Sequence, residues 1–189
     1  MEQHQELADE YILRFGKITQ YRTQVWKLLC REFFQQFIPQ DSTVLDLGCG
    51  WGEFINAIAA RHKFGMDLNP DSPNHLESDV KFVHHDCSKE WPFADGTFDA
   101  IFSSNLFEHL PTKSALATAI SEPARVLKPG GQFIYMDPNV RFLKSLYWDF
   151  YDHHLALSDR SLVEVIRLAG LPAVSRGTRG SLRSRPSSD

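Results

Sequence analysis

Val44-Leu45-Asp46-Leu47-Gly48-Cys49-Gly50-Trp51-Gly52-Glu53-Phe54 is the stretch that decides how this chain folds. Its first half is a short apolar run, the pattern of a strand buried on both faces. Its second half sets glycines at 48, 50 and 52, then opens a segment whose Phe54, Ile55, Ile58 and Ala59 share one helical face. A strand that enters a helix through such a turn lets the backbone bend sharply and lets a ligand approach without a side chain in the way.

Working outward, strand-like runs follow at KFGMDL (63–68), VKFVHHD (80–86) and FDAIFSSN (98–105), each bounded by Pro, Gly or Asp. A helix starts near Thr112 with Leu116, Ala119, Ile120 and Leu127 on one face. Pro123 removes an amide inside it, which predicts a kink. Pro129-Gly130-Gly131 turns the chain into a strand, QFIYMDP (132–138), and Ser158 caps a last helix closed by Gly170 and Pro172. Upstream, Trp26, Leu29, Cys30, Phe33, Phe34 and Phe37 mark an amphipathic helix over 21–37 that ends before Pro39. This alternation predicts an α/β, Rossmann-like doubly wound, mostly parallel sheet with helices on both faces.

The segment from 172 to 189 is rich in Ser and Arg and poor in aliphatic residues, so it is expected to be a disordered tail. It holds no strand-like run. The domain reading is a helical lid over 1–40, a ligand-binding domain over 41–171 and the tail over 172–189.

At 189 residues, 42% hydrophobic and 23% charged, the composition is that of one globular domain. No apolar run reaches the roughly 18 residues of a membrane span, and the acidic start MEQHQELADE is unlike a signal peptide. A cytoplasmic protein is expected. A net charge of −4 gives no general attraction for nucleic acid, so the expected partner is small. Three cysteines, Cys30, Cys49 and Cys87, at wide spacing point to neither disulfides nor zinc.

Charge narrows the ligand. A pyrophosphate in the glycine turn would meet both Asp46 and Glu53, each pair costing roughly 3 kcal/mol at ~5 Å and an effective dielectric of ~20. S-adenosyl-L-methionine has no phosphate, and it offers an ammonium to an acid and a carboxylate to the helix amides. Asp67, followed by Leu68, stands at the end of the next strand, where a carboxylate accepts from both ribose hydroxyls. Asp86, past the third strand, is placed to accept from an adenine amino group, with Cys87 beside it. Each acid is also at home as a turn residue; three at successive strand ends are harder to obtain by chance.

VLDLGCGWGEF, GMDLNP (65–70), WPFADGTFDAIFSSNLFEHL (91–110) and RVLKPGGQFIYMDPN (125–139), in that order, resemble the class I S-adenosylmethionine-dependent methyltransferases. The likeness runs from about residue 40 to 171 and is nearest to bacterial small-molecule enzymes of the type 11-like group. It implies that Asp46, Gly48, Cys49, Gly50 and Gly52 hold the methionine part of the cofactor, Asp67 and Leu68 the ribose, and Asp86 with Cys87 the adenine. It also implies that Asn105 and Leu106 lie along the reactive sulfonium, and that the helix before residue 40 is a variable lid. The family's sheet continues after the last helix with two further strands, the final one antiparallel, so by this resemblance the sheet is expected to lack its C-terminal antiparallel strands, as if cut short from about Ala173, leaving the outer rim of the fifth strand unpaired.

Methyl transfer from a sulfonium is an in-line displacement, for which positioning is the main requirement and a base is optional. His109 is the candidate base, with a purely structural role as its alternative. The segment YWDFYDHHLALSDRS (147–161) falls where this fold places substrate-binding insertions, and Tyr147, Trp148, Phe150 and Tyr151 suit an apolar or ring-bearing acceptor. No metal is expected: Asp152, His153, His154 and Asp137 offer ligands, but adjacent histidines point apart. His84 and His85 read as structural. The competing readings are a non-catalytic scaffold of the same fold, suggested by the shortened sheet, and a nicotinamide-dependent oxidoreductase, which Asp46, Glu53 and the glycine spacing disfavour.

Overall fold

The computed structural model describes Asp9 and residues 11–175 and 182–184. Residues 11–15 are helical and α1 (Thr19–Leu29) follows. The helix predicted over 21–37 is not uniform: after Leu29 it widens to a π turn over Cys30–Phe34, then tightens to a 3-10 turn over Gln35–Phe37. With the change of pitch, Cys30 and Phe34 become buried while Phe33 stays at the surface. Phe34 meets Phe54 edge-on at 5.7 Å, and Trp26 meets the same ring at 6.3 Å.

The chain divides into two compact units, Met1–Asp86 and Cys87–Asp189. The first holds β1 (Thr43–Leu47), α2 (Glu53–Ala57), β2 (His62–Asp67) and β3 (Val80–His84), with strand order β3-β2-β1 and both pairs parallel. Asp46 lies opposite Gly65, and Asp67 opposite His84. Val44, Leu45 and Leu47 are wholly buried, as the apolar run predicts for a strand covered on both faces.

The second unit holds β4 (Phe98–Ser104), α3 (Lys113–Val126), β5 (Leu127–Met136), α4 (Val140–Leu143), α5 (Asp159–Leu168), β6 (Ala173–Ser175) and β7 (Leu182–Ser184). Its strands run β4-β5-β7-β6; the first pair is parallel and the other two are antiparallel. The Thr112 hydroxyl caps α3 by accepting from the Ala115 amide at 3.1 Å. The helix continues through Pro123, whose carbonyl receives the Leu127 amide at its end. Ser158 and Ser161 form a reciprocal capping box on α5, and Gly170 follows at φ 81°.

Two sequence expectations are corrected here. Pro129-Gly130-Gly131 does not precede the strand but lies inside it. β5 already pairs at Leu127, and the step from Phe98 to Ala100 on β4 spans Leu127 to Gln132 on β5. A residue without an amide hydrogen and a glycine at φ 80° suit such a bulge.

Nor are the C-terminal antiparallel strands missing. β7 pairs with β5, Phe133 opposite Ser184 and Tyr135 opposite Leu182, and β6 pairs with β7. Composition argued that this segment could not bury a core. Edge pairing draws instead on backbone amides and carbonyls, which any residue but proline supplies. The rest of the expected tail, 176–181 and 185–189, lies outside the described residues.

Parallel strands alternating with helices place the chain in the α/β, Rossmann-like class. Among the described residues no helix is long and apolar enough to cross a membrane.

Candidate functional site

In the first unit the glycine turn folds back on the end of β2. The Gly48 and Cys49 amides donate to the Met66 carbonyl at 2.8 and 3.2 Å, and the Gly52 amide to the Cys49 carbonyl at 2.7 Å. Gly48, Gly50 and Gly52 stand at φ 70°, 50° and 76°, a region that side chains disfavour. Asp67 fixes the turn from below: Oδ2 accepts from the Gly50 amide and Oδ1 from the Asn69 amide, each at 2.7 Å. The Leu68 amide also bonds this carboxylate.

Asp46 is buried at 3% exposure, and Glu53 is paired with Arg22 at 2.7 Å. Burial pushes the Asp46 carboxyl above its ordinary value, and the charges of Glu53 and Asp67 add to the push. Asp67 is likewise raised by burial and drawn back by the amides of Asn69 and Gly50. Acidic Asp46, Glu53 and Asp67 around a glycine turn suit a cationic nucleoside better than a pyrophosphate, so the residues present fit S-adenosyl-L-methionine. Leu68 follows β2, its carbonyl bonded to His84 Nε2 at 3.0 Å, and Asp86 is half-buried beyond β3.

Tyr11 escaped the sequence reading. Its hydroxyl packs against Gly50, where a Cβ would collide with it, and its ring meets Phe15 at 5.1 Å and Trp51 at 5.7 Å. The Arg22 guanidinium lies 3.9 Å over the Phe15 ring. Burial, then Asp67 and Glu53, raise the pKa of the Tyr11 hydroxyl. No motif announces this residue; it lies upstream of the apolar stripe that marked the helix.

The second unit carries Cys87, Asn105, Leu106 and His109. Cys87 is buried, and its carbonyl accepts from the Trp91 indole at 3.0 Å. Asn105 takes φ 50°, and its amide donates to the Met136 carbonyl at 3.0 Å. The next amide, of Leu106, donates to Asp137 Oδ1 at 3.2 Å, so Asp137 clamps the turn that ends β4. Glu108 is buried at 1% exposure against Asp137. Burial raises both carboxyls, Glu108 further because Asp137 opposes it, whereas the Leu106 and Phe107 amides hold Asp137 down. Burial and mutual repulsion thus favour the neutral form of Glu108 over that of Asp137.

His109, in the 3-10 turn Phe107–His109, directs Nδ1 at Asp152 Oδ2 (3.0 Å) and at the Asp152 carbonyl (3.1 Å). The amides of His154 and Leu155 donate to the Glu108 carbonyl at 2.8 and 3.1 Å, tying 152–155 to the same turn. The adjacent histidines diverge as expected: His153 is buried and His154 exposed. Tyr147 departs from the expectation of an acceptor-lining aromatic. Its side chain is wholly buried, and its hydroxyl bonds the Leu155 carbonyl. Trp148, Phe150 and Tyr151 are exposed, together with Phe142 and Leu146.

The fold is that of the S-adenosylmethionine-dependent methyltransferases. Residues 44–131 match the methyltransferase domain family. It is 32% identical over 130 residues to a probable tRNA methyltransferase 9B of Bos taurus, covering 69% of this chain and 28% of that protein. It is 32% identical over 148 residues to a fatty-acid O-methyltransferase of Mycolicibacterium smegmatis, covering 74% and 50%. The chain thus spans half or less of the length of these relatives. A SAM-dependent methyltransferase from Archaeoglobus fulgidus has the same fold, with a TM-score of 0.76 at 18% identity over 93% of this chain and 99% of that one.

Proposed function

We propose that the chain transfers a methyl group from S-adenosyl-L-methionine to a small-molecule acceptor. The observation that carries this is Asp67 held between the Gly50 and Asn69 amides at a glycine turn that also carries Asp46. In this reading Asp46 and the turn from Gly48 through Cys49 and Gly50 to Gly52 bind the methionine part. Asp67 and Leu68 bind the ribose, and Asp86 and Cys87 the adenine. Asn105 and Leu106 border the reacting carbon, and the helices before residue 40 serve as the lid. The cofactor, when bound, supplies an electrophilic methyl on a sulfonium.

The chain's part is to hold the acceptor in line. His109 keeps its Nδ1 proton toward Asp152, which leaves Nε2 as the nitrogen able to take a proton from an acceptor hydroxyl. Exposed Trp148, Phe150, Phe142 and Leu146 favour an apolar acceptor, and the charge of −4 disfavours a polyanion. Likeness to a tRNA methyltransferase makes RNA the competing acceptor.

Calorimetry with S-adenosylmethionine and S-adenosylhomocysteine on the wild type and Asp67→Ala tests the cofactor: saturable binding lost in the variant supports the reading. A screen for the mass gain of one methylene across hydroxyl- and amine-bearing metabolites, with bulk tRNA as a parallel arm, tests the acceptor. Methylation of tRNA alone would overturn the small-molecule assignment.

A further inference from the structure

We infer that Glu108, His109 and His153 form a binding site for a divalent transition-metal ion of the zinc type. One ligand atom from each of the three lies within 4.8 Å of the other two, and Nε2 of His109 stands 3.8 Å from Oε1 of Glu108. Two ligands about 2.0–2.2 Å from a shared ion can be that far apart.

The hydrogen bonds around the cluster orient it. His153 Nδ1 lies 2.7 Å from the Tyr147 carbonyl, and His109 Nδ1 lies 3.1 Å from the Asp152 carbonyl and 3.0 Å from its carboxylate. A carbonyl oxygen only accepts, so in each ring Nδ1 carries the proton and Nε2 of the neutral imidazole carries the lone pair. An imidazole whose far nitrogen donates to a carboxylate or a backbone carbonyl is the usual outer support of a metal-ligating histidine.

Burial supplies an independent observation. His153 is 9% exposed and Glu108 1%, so two of the three ligand groups sit out of water. The backbone holds them in register, because the His154 and Leu155 amides both donate to the Glu108 carbonyl. Two imidazole nitrogens and one carboxylate form a three-ligand set suited to zinc or cobalt, with a fourth position left for an oxygen ligand such as water or an acceptor hydroxyl. Magnesium and calcium, which prefer all-oxygen surroundings, suit it poorly. An ion bound here takes the His109 Nε2 lone pair, so His109 is either a ligand or a base at any one time.

The test uses the full chain, stripped with a chelator and titrated with Co²⁺ for its visible absorption and with Zn²⁺ in competition with a chromophoric chelator. One ion per chain is expected, with tetrahedral-type Co²⁺ bands, and no competition from Mg²⁺. Glu108→Gln and His153→Gln are each expected to weaken binding ~100-fold or more, and Asp152→Asn about 10- to 100-fold. His154→Gln, on the exposed neighbour, is expected to bind as the wild type does. A cooperative thermal melt of each stripped variant establishes that it folds, and the half-exposed Asp152 position keeps the test open if a buried substitution does not. Absent Co²⁺ bands, stronger binding of Mg²⁺ than of Zn²⁺, or equal affinity in wild type and Asp152→Asn would each overturn the site. None of these readouts depends on methyl transfer.

Discussion

The glycine turn of the first unit and the Glu108 cluster of the second both gather buried carboxyls, but they hold them by opposite means. In the first, Asp67 is fixed by backbone amides at 2.7 Å, and Glu53 by Arg22. In the second, Glu108 and Asp137 repel each other in burial, which raises both carboxyls, and His109 stands beside Glu108. The turn is shaped by main chain and tolerates little change in conformation. The cluster is shaped by side chains and responds to pH and to ions.

The largest effect should come from removing the anchor of the first region. Asp67→Ala deletes two hydrogen bonds to a charged group, each worth ~1.5–3 kcal/mol, and should weaken S-adenosylmethionine binding about 100-fold or more by calorimetry. Unchanged affinity would mean that the turn does not depend on that carboxylate. Next, Gly50→Ala places a Cβ at φ 50° against the Tyr11 hydroxyl. The backbone term alone is about 1–2 kcal/mol, to be read from denaturant midpoints. Pairing it with Tyr11→Ala should recover the steric part and leave the backbone part.

The second region should reveal itself through pH. The Glu108 carboxyl is pushed up to about 9, above the ~4.3 of an exposed glutamate. The folded chain therefore keeps a proton that the unfolded chain releases. Its stabilising contribution is complete below ~4.3 and is lost as pH rises toward about 9. Glu108→Gln does not titrate, so with chelator present its melting temperature should fall less steeply across that window. Parallel slopes would show that the buried pair holds no such proton. The smallest effect belongs to Arg22→Ala, whose partly buried pair with Glu53 should contribute no more than ~1 kcal/mol, seen as a slight drop in melting temperature.

Legibility in the sequence follows contiguity. The turn was readable because its glycines, Asp46 and Glu53 adjoin in one run, and because a strand end placed Asp67. The cluster draws on 108–109, 137, 147 and 152–153, which only the folded chain brings together. Single-residue cues flag His109, Asp152, His153 and His154, and adjacency rightly discounts the two neighbouring histidines as a chelating pair, but no cue places His153 beside Glu108 and His109. His109 and Glu108 are the true neighbours of His153. The tail was misread for another reason. Hydrophobic content predicts which segments build a core, whereas β6 and β7 pair through the backbone, to which composition is nearly blind.

The cysteines give the chain a set of internal clocks. Cys30 lies in the π turn, Cys49 in the glycine turn and Cys87 at the start of the second unit, and each is buried in the folded state. Burial raises the Cys30 and Cys49 thiols, so few are thiolate at neutral pH and modification must wait for the surrounding structure to open. Cysteine-resolved labelling rates would therefore time the loosening of three separate places in one unaltered polypeptide, and a ligand seated in the glycine turn would slow the Cys49 clock first.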